Sequence, residues 1–411
     1  MIGVHCSERD LASLAGEGSI FGGSAAAKLE RLRAEIEPLS CRYDVVVANP
    51  PYMGSSNMNG WVSKWVKKNY PIAKSDLCTC FFNRAQRLAG ADGYISMITA
   101  SSWMFISSFE KFRKQLLSEG SICSMIQQST HGYAGVTVPT TMFAYACRRL
   151  GVIGSYIRLE DFDRPQWQEP RALEALADPG CGWFYRADAD RFGAIPGSPI
   201  AYWLPFQATE AFLNGISIDG VSDYTGSPNI TGDNDKYLRF VWEIGDRNLG
   251  NRWKPYSKGG DFRRWYGNLI HVVDWSEQAR CFYERNKTST LLPEKYWFRG
   301  GITYTMLTSG KACFRHIGNG CIWDKSGPVI CLTKQMQGPW LAFLNSSIAQ
   351  LYLDTLNPTM NLQVRDVKAL PFLPVPDEAS VSEIVGDNIL FVKIDWDAFE
   401  ISADFKRHPL I

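Results

Sequence analysis

Asn49 to Tyr52 follow an apolar run and could form a rigid acceptor site for an amine. Two consecutive prolines stiffen this turn and cannot donate hydrogen bonds to a sheet. In such a turn, the side-chain oxygen of Asn49 and the backbone carbonyl of Pro50 can converge as acceptors, while Tyr52 offers a flat aromatic face. The pattern therefore predicts a site for an exocyclic amine on a planar ring.

Such an amine is a poor nucleophile because its lone pair is delocalised into the ring. Two hydrogen bonds accepted from its N–H groups favour a more tetrahedral nitrogen, so catalysis is mainly positioning and electrostatics. A base inside duplex DNA must be flipped out to reach the turn, and stacking on Tyr52 would hold it there. The predicted catalytic residues are Asn49, Pro50, Pro51 and Tyr52.

The turn lies in a repeating pattern of strands and helices. Near-continuous apolar strands are predicted in DVVVA, GYISMITASS and SICSMIQQST, with a fourth in TTMFAYACRRL. Amphipathic helices are predicted in KLERLRAEIEPL, which Pro38 should end, in SDLCTCFFNRAQRLAGADG, closed by Gly90 and Gly93, and in SSFEKFRKQLLSEG. The pattern favours an α/β, doubly wound parallel sheet, in which ligands bind beyond the carboxyl ends of the strands.

The amino-acid composition and the length of the predicted strands change near residue 150. Beyond Gly151, proline, glycine and aromatic residues are frequent and the strand-like pieces are short. We predict four segments, with a half of an α/β domain in 1–150, a connecting region in 151–236, a mixed, mainly β domain in 237–376, and the start of another element in 377–411.

The composition narrows the classes of protein. Lys and Arg total 43 against 42 Asp and Glu, so attraction to a polyanion must come from local clusters. The 11 cysteines include no C-x-x-C pair, so no disulfide framework and no metal site are predicted. Neither a signal peptide nor a membrane helix is evident, and we expect a cytoplasmic protein without membrane contact.

The turn NPPY after an apolar strand resembles the catalytic motif of amino-group DNA methyltransferases. The following DLCTCFFNRAQRLAGADGYISMIT resembles the next motifs of that family, and GYAGVTVPTTMF resembles its loop beside the target base. Downstream, RWKPYSKGGDFRRWYGN, KYWFRGGITYTML and LNSSIAQLYLDTLNPTMNLQVRDVKALP resemble the target-recognition region of type IIG restriction-modification enzymes and of the methyltransferase of BREX phage-defence systems. The resemblance covers nearly the whole chain.

The resemblance implies fold, activity and ligands. It implies part of a Rossmann-like methyltransferase sheet followed by a target-recognition domain, and transfer of a methyl group from S-adenosylmethionine to adenine N6. The implied partner is double-stranded DNA with a flipped adenine. By alignment, Phe81 would pack on the adenine ring of the cofactor; the alternative is a core aromatic of an amphipathic helix.

The chain departs from the family in one respect. The glycine-rich cofactor loop and the acidic residue that holds the ribose should precede the turn, yet only 48 residues precede Asn49. GEGSIFGG has no apolar strand before it, so we interpret it as a surface loop. We therefore expect an internal piece of a longer protein, and a chain that supplies the missing N-terminal half as a partner. Alternative functions are a noncatalytic DNA-binding remnant, or a methyltransferase that acts on RNA or on protein glutamine.

Two stretches combine basic and aromatic residues, as phosphate contact with stacking requires. The predicted DNA-binding residues are Arg247, Arg252, Lys254, Lys258, Arg263, Arg264 and Trp265. The alternative for this stretch is a solvated loop whose aromatics serve the core. Directly after the turn, a displaced strand could follow Trp61, Lys64, Trp65, Lys67 and Lys68, or these residues could belong to an exposed amphipathic helix. Tyr133 could pack behind the flipped nucleobase. We interpret the nearby His131 as a loop residue and not as a general base.

Overall fold

The computed structural model describes residues 22–133, 137–226, 229–245, 248–307, 310–357 and 361–408, with only the backbone described at 22–29 and 35. The chain divides into two compact units. Unit 1 comprises Met1–Ser101 and Gln115–Ala187, and unit 2 comprises Ser102–Lys114 and Asp188–Ile411.

Unit 1 is built on one six-stranded sheet with flanking helices. Its strands are β1 (Tyr43–Ala48), β2 (Ala89–Ala100), β3 (Ser121–Gln128), β4 (Thr140–Ala146), β5 (Ile153–Leu159) and β6 (Phe184–Asp188). The helices in this part of the chain are α1 (Gly22–Ser40), α2 (Gly60–Asn69), α3 (Leu77–Leu88), α4 (Glu110–Glu119) and α5 (Pro165–Ala177). The strand order is β1-β2-β4-β3-β5-β6, which leaves β1 at one edge.

The sheet confirms the predicted α/β class, although it is mixed and not purely parallel. β1 pairs with β2 in parallel, and β3 pairs with β5 in parallel. β4 lies between β2 and β3 and is antiparallel to both. A parallel return to the sheet needs a long crossover connection, usually a helix, and none is described between β3 and β4.

The core of unit 1 lies between α3 and the central strands. The buried ring of Phe82 on α3 packs against Phe143 and Tyr145 of β4, with ring centroids 5.8 and 5.1 Å away. The Tyr145 hydroxyl donates to the Leu116 carbonyl at 2.9 Å. These contacts anchor α3, which follows the NPPY turn, against a well-packed sheet.

Two predicted helix ends are wrong. α1 continues through Pro38 to Ser40, because a proline removes one donor while the carbonyl of Glu37 still accepts from the Cys41 amide at 3.2 Å. Gly90 and Gly93 lie in β2, where an irregularity shifts the register with β1. A Cβ on Gly93 would lie 3.0 Å from the Tyr43 carbonyl oxygen, so the close approach of two backbones explains this glycine.

Unit 2 contains short strands grouped in several sheets. The strands are β7 (Ile216–Ser217), β8 (Tyr224–Gly226), β9 (Leu238–Phe240), β10 (Trp253–Ser257), β11 (His271–Asp274), β12 (Gly301–Tyr304), β13 (Phe314–Ile317), β14 (Ile322–Trp323), β15 (Val329–Cys331) and β16 (Pro371–Phe372). They form two four-stranded sheets, ordered β14-β10-β11-β9 and β13-β12-β15-β8, and the pair β16-β7.

Helices complete unit 2. They are α6 (Phe206–Asn214), α7 (Ile218–Val221), α8 (Asn234–Tyr237), α9 (Glu277–Arg285), α10 (Lys334–Leu344), α11 (Ser347–Leu356), α12 (Val364–Lys368) and α13 (Glu378–Trp396). The main core joins β12, β13 and β15 to α10 and α11, with Tyr304, Phe314 and Trp340 fully buried. No helix among the described residues is long and apolar enough to cross a membrane.

The six-stranded sheet continues past residue 150, where the sequence predicts a boundary. β5 pairs with β3, and unit 1 extends to Ala187. Part of the predicted connecting region, 151–236, thus contributes β5 and β6 to the sheet, and α5 lies between these two strands in sequence. The functional division of the chain into catalytic, connecting and target-recognition segments stays a prediction.

Candidate active site

The NPPY turn lies directly beyond the carboxyl end of β1. Asn49 and Pro51 are exposed, Pro50 is buried and Tyr52 is half-buried. The Tyr52 hydroxyl donates to Asn49 Oδ1 at 3.2 Å. Because an amide oxygen has two lone pairs, this bond can orient Asn49 and still leave Oδ1 able to accept a second donor.

Asp76, at the start of α3, holds the residue that follows the turn. Its buried Oδ1 accepts from the backbone N–H of Met53 at 3.2 Å and from that of Cys78 at 2.9 Å. The Met53 carbonyl in turn accepts from the Leu77 amide at 3.0 Å. One carboxylate therefore caps α3 and ties the chain beside Tyr52 to the helix, which is anchored in the core.

The sequence interpretation missed this role of Asp76. An aspartate just before a helical pattern is a typical N-cap signal, so the bond to Cys78 could have been inferred. The bond to Met53 joins residues 23 positions apart, and no local pattern indicates it.

The Tyr52 phenol stays protonated at neutral pH. Burial, followed by the nearby Cys78 and Tyr133, raises the pKa of Tyr52 above its usual value. A neutral phenol can donate to Asn49, as the geometry shows. Tyr133, the residue predicted to pack behind the flipped base, is thus among the groups that raise the pKa of Tyr52.

The loop after β3 carries Tyr133 and is fastened to the loop after β5. His131 Nδ1 lies 3.0 Å from the Asp163 carboxylate, and the His131 backbone N–H donates to the same group at 3.3 Å. These bonds occur at the surface, and the hydrogen bond from His131 lowers the pKa of Asp163. His131 therefore has a visible structural contact, in line with its interpretation as a loop residue.

Phe81 is not a core residue. Its side chain on α3 is 45% exposed, whereas the adjacent Phe82 is fully buried. The exposed ring can stack on a planar ligand. The contact between Phe81 and the cofactor stays a prediction.

The helix after the turn, α2, is exposed and basic. Trp61 is 73% exposed, and Lys64 and Lys68 are also exposed. These residues are spaced i, i+3 and i+7, so they share one face of the helix. Trp65 packs toward Tyr70, with ring centroids 5.6 Å apart, and Lys67 is exposed in the last turn.

Most of the predicted DNA-binding residues of unit 2 contact other parts of the unit. Arg252 pairs with Asp274 at 2.5 Å, and Lys258 lies 3.7 Å from Asp324. Lys254 donates to the Gly250 carbonyl. Arg247 lies outside the described residues.

Arg263 and Arg264 differ although they are neighbours. Arg263 pairs with Asp395 at 3.0 Å and lies over the Trp396 ring. Arg264 lies over the exposed ring of Phe262 and, within the described part of the chain, forms no ion pair, although its Nε is buried without a partner. Arg264 is therefore the stronger candidate for a phosphate contact.

Trp265 has an unusual backbone conformation. Its φ of +72° lies in the left-handed region, which bulky residues rarely adopt. The conformation is held because the Trp265 amide donates to the Phe314 carbonyl at 3.0 Å and its carbonyl accepts from His316 at 2.7 Å. Its side chain packs partly against the main core, so it is not a freely projecting stacking residue.

The cysteine pair on α3 is buried. Both Cys78 and Cys80 have raised thiol pKa values, caused first by burial and then by the charge of Asp76; that of Cys80 is about 12. Within the described residues, no group of three or more His, Cys, Asp or Glu side chains is arranged to hold a metal ion.

Comparison with known proteins bears on the same region. Residues 25–132 match the family model described as Eco57I restriction-modification methylase. Over 396 residues the chain is 32% identical to the adenine-specific methyltransferase PglX of Lacticaseibacillus casei (strain Zhang), covering 91% of this chain and 33% of that protein. The resemblance to adenine-specific methyltransferases is confirmed.

A second adenine-specific methyltransferase and one solved restriction-modification enzyme are also similar to the chain. The adenine-specific methyltransferase BrxX of Escherichia coli O9:H4 (strain HS) is 30% identical over 414 residues, covering 97% of this chain and 33% of that protein. The chain spans about a third of the length of both relatives. The type IIL restriction-modification enzyme MmeI, solved in complex with DNA, matches 91% of this chain and 52% of its own with a TM-score of 0.53. At 10% identity, that match shows a shared fold.

Proposed function

We propose that this chain forms the target-base side of a site-specific DNA methyltransferase that modifies adenine N6 in a restriction-modification or phage-defence system. The observation that carries the proposal is the NPPY turn beyond β1, with Tyr52 bonded to Asn49 and the following residue tied to α3 by Asp76. The adenine-specific methyltransferases to which the chain is similar support the choice of base.

The chemistry follows from the acceptors of the turn. One adenine N6–H would donate to the remaining lone pair of Asn49 Oδ1, and the other to the Pro50 carbonyl. The Tyr52 ring would stack on the extruded base. Nitrogen held in this way would direct its lone pair at the electrophilic methyl group of a donor. The N–C bond would form as the bond between that methyl group and the donor breaks, the demethylated donor would leave with the electron pair, and the methylated nitrogen would release one proton to water. The turn supplies orientation and electrostatic stabilisation, and no strong base is required.

S-adenosylmethionine is the proposed methyl donor, and the described residues fit one side of it. The exposed ring of Phe81 would pack on the adenine of the cofactor. The described residues before β1 form α1 and show no strand–glycine–helix arrangement that would hold the rest of the molecule. We therefore expect the chain alone to bind the cofactor weakly, which isothermal titration can measure; micromolar affinity would contradict this expectation.

A further polypeptide segment is proposed to cover the edge of the sheet at β1. Val45 and Val47 on this edge strand are 57% and 74% exposed, and Leu32 and Ile36 of α1 are each 52% exposed. Open edge strands with apolar side chains favour strand addition or aggregation. Val47→Lys should reduce self-association of the chain in light scattering, whereas Val152→Lys at another exposed valine should not. Equal association would remove the support for a covering segment.

DNA contact by unit 2 rests on a few side chains. The half-buried Arg264 lies over the exposed ring of Phe262, and a cation beside a ring is a combination suited to phosphate and base contact. The paired residues Arg252 and Arg263 are weaker candidates because binding phosphate would compete with their carboxylate partners.

The test uses Asn49→Ala in an enzyme that contains this segment, with Asn57→Ala as a matched control at an exposed asparagine in the following turn. We expect methyl transfer to adenine to fall about 100-fold or more in the first variant, as when one preorganised polar contact is removed. The control should stay within about twofold of wild type, a margin we set against ordinary surface effects. Duplex affinity should be unchanged in both.

The result separates the alternatives. Wild-type rates in the Asn49 variant would exclude the turn as the catalytic site. A wild-type protein that binds duplex DNA but transfers no methyl group under any supply of cofactor would be a noncatalytic DNA-binding module. Transfer to RNA or to a protein glutamine, and not to DNA, would assign the same turn to another substrate.

A further inference from the structure

Unit 1 contains a cavity at the carboxyl ends of β3 and β5 that the proposed mechanism does not use. It has a volume of about 380 Å³ and lies between the ends of β3 and β5, the loop after β3, and α5. Its apolar walls include Ile126, Met142, Leu159 and Ala172. Tyr133 lines the cavity and is also one of the groups that raise the pKa of Tyr52.

A buried acceptor belongs to this cavity. Gln168, on α5, is 95% buried and lines it. Its Nε2 donates to the Phe162 carbonyl and to Ser129 Oγ, which fixes the orientation of the amide. Its Oε1 is buried and has no hydrogen-bond partner within the described part of the chain. A buried carbonyl oxygen without a donor is costly, so a ligand N–H would be favoured there.

Gly132 is the point at which the loop that carries Tyr133 approaches this acceptor. A Cβ on Gly132 would lie 3.4 Å from Gln168 Oε1 and 3.0 Å from Gln128 Cβ, so a larger residue would crowd the acceptor. The lining residues, all in the described part of unit 1, include Glu169 and no lysine or arginine. A phosphate or other anion is therefore disfavoured, and a neutral flat molecule with an N–H donor fits the walls.

We propose that the cavity receives a nucleobase of the bound DNA other than the target adenine, with an N–H of that base donating to Gln168 Oε1. This inference rests on the proposed function, because DNA at the turn is what brings a second base to the cavity. Tyr133 would then separate the two bases, with the target adenine on Tyr52 and the second base beneath the loop.

The test measures binding and does not require methylation. The probe is a single-stranded pentanucleotide with 2-aminopurine at its centre and abasic residues on both sides, so that the 2-aminopurine amine is the one base N–H that can donate to Gln168. Its fluorescence change on binding gives the dissociation constant for the chain. Ala172→Trp fills the cavity from α5, and Leu173→Trp places the same ring on the exposed side of that helix, where Leu173 is 59% exposed.

We expect Ala172→Trp to weaken probe binding at least about tenfold, while Leu173→Trp stays within about twofold, since only the first occupies the cavity. A competitor with purine in place of 2-aminopurine, which lacks the amine, should bind about fivefold more weakly, the effect of one hydrogen bond. Equal competition would overturn the proposal even if Ala172→Trp failed to fold. Unchanged probe binding in a folded Ala172→Trp variant would also overturn it.

Free 2-aminopurine deoxyriboside distinguishes the source of the base. We expect the pentanucleotide to bind at least about tenfold more tightly, with affinity that falls as salt rises, because phosphate contacts contribute. Equal affinities without salt dependence would assign the cavity to a free nucleoside and overturn the DNA base as its occupant. Duplex binding, measured in parallel, reports on the proposed function separately.

Discussion

Asp76 offers a direct test of how the turn is held, because its two roles can be separated by substitution. Asp76→Ser keeps a good N-cap, since a serine hydroxyl can accept from the Cys78 amide, but its shorter side chain cannot also reach Met53. Asp76→Asn keeps an acceptor for both amides without the charge. Asp76→Ala removes both bonds.

The bonds set the expected magnitudes. Loss of the helix cap in Asp76→Ala should lower the free energy of unfolding by about 1 kcal/mol. A hydrogen bond to a charged acceptor contributes about 1.5–3 kcal/mol, and we take the lower end because the Met53 bond is only partly buried. A loss of about 1.5 kcal/mol corresponds to an opening equilibrium about tenfold larger.

Hydrogen exchange on the chain itself measures this opening. In Asp76→Ser the Met53 amide should exchange about tenfold faster, while the Cys78 amide stays protected and the melting temperature stays close to wild type. Asp76→Asn should show a smaller increase. In an enzyme that methylates DNA, kcat should fall in Asp76→Ser with little change in duplex affinity, because a misplaced turn loses orientation. Wild-type exchange at Met53 in a folded Asp76→Ser variant would refute the claim that Asp76 holds the turn.

Three further predictions concern the site and unit 2. Tyr52→Phe keeps the ring but removes the bond to Asn49, so kcat should fall while DNA affinity is retained; an unchanged kcat would show that the hydroxyl does not orient Asn49. Arg264→Ala should reduce the slope of the logarithm of the DNA-binding constant against the logarithm of the salt concentration by about 0.9 per lost phosphate contact. An unchanged slope would assign Arg264 to a solvated loop that does not contact DNA. Burial alone would raise the pKa of Asp274, but hydrogen bonds from Arg252 and others bring the pKa below its usual value. Asp274 therefore stabilises the fold above the unfolded pKa of about 3.9, and this stability is lost as pH falls through the lowered pKa. Arg252→Ala should raise the pH of acid unfolding, and an unaltered midpoint would contradict this.

The local pattern determined the elements that surround the turn. Apolar runs predicted β1 to β4, and the amphipathic segment before Gly90 predicted α3. These predictions succeeded because side-chain periodicity and local backbone preference depend on neighbours in sequence. The residue types of Asn49 to Tyr52 likewise indicated an acceptor site for an amine before any fold was known.

Pairing over long distances was decided only by the tertiary structure. The antiparallel placement of β4 between β2 and β3 depends on the connection and on packing, and the sequence of β4 alone carries no direction. The sequence does not distinguish the basic residues of unit 2 as candidates for DNA contact. In the folded chain, however, Arg263 pairs with Asp395, whereas Arg264 lies over an exposed ring. Charge clusters in sequence therefore overstate the number of free cations.

Residue types alone indicate which residues could accept an amine and that they follow an apolar strand, whereas the exposed position of that strand at the sheet edge came only from the fold. The tertiary structure decided what holds them, because Met53 and Cys78 meet at one carboxylate only when α3 packs on the sheet. It also decided that Gln168 lies with an unpartnered oxygen next to a cavity, 36 positions after Gly132 in sequence. Hydrogen bonds between distant segments depend on their placement in three dimensions, and local sequence preferences do not specify that placement.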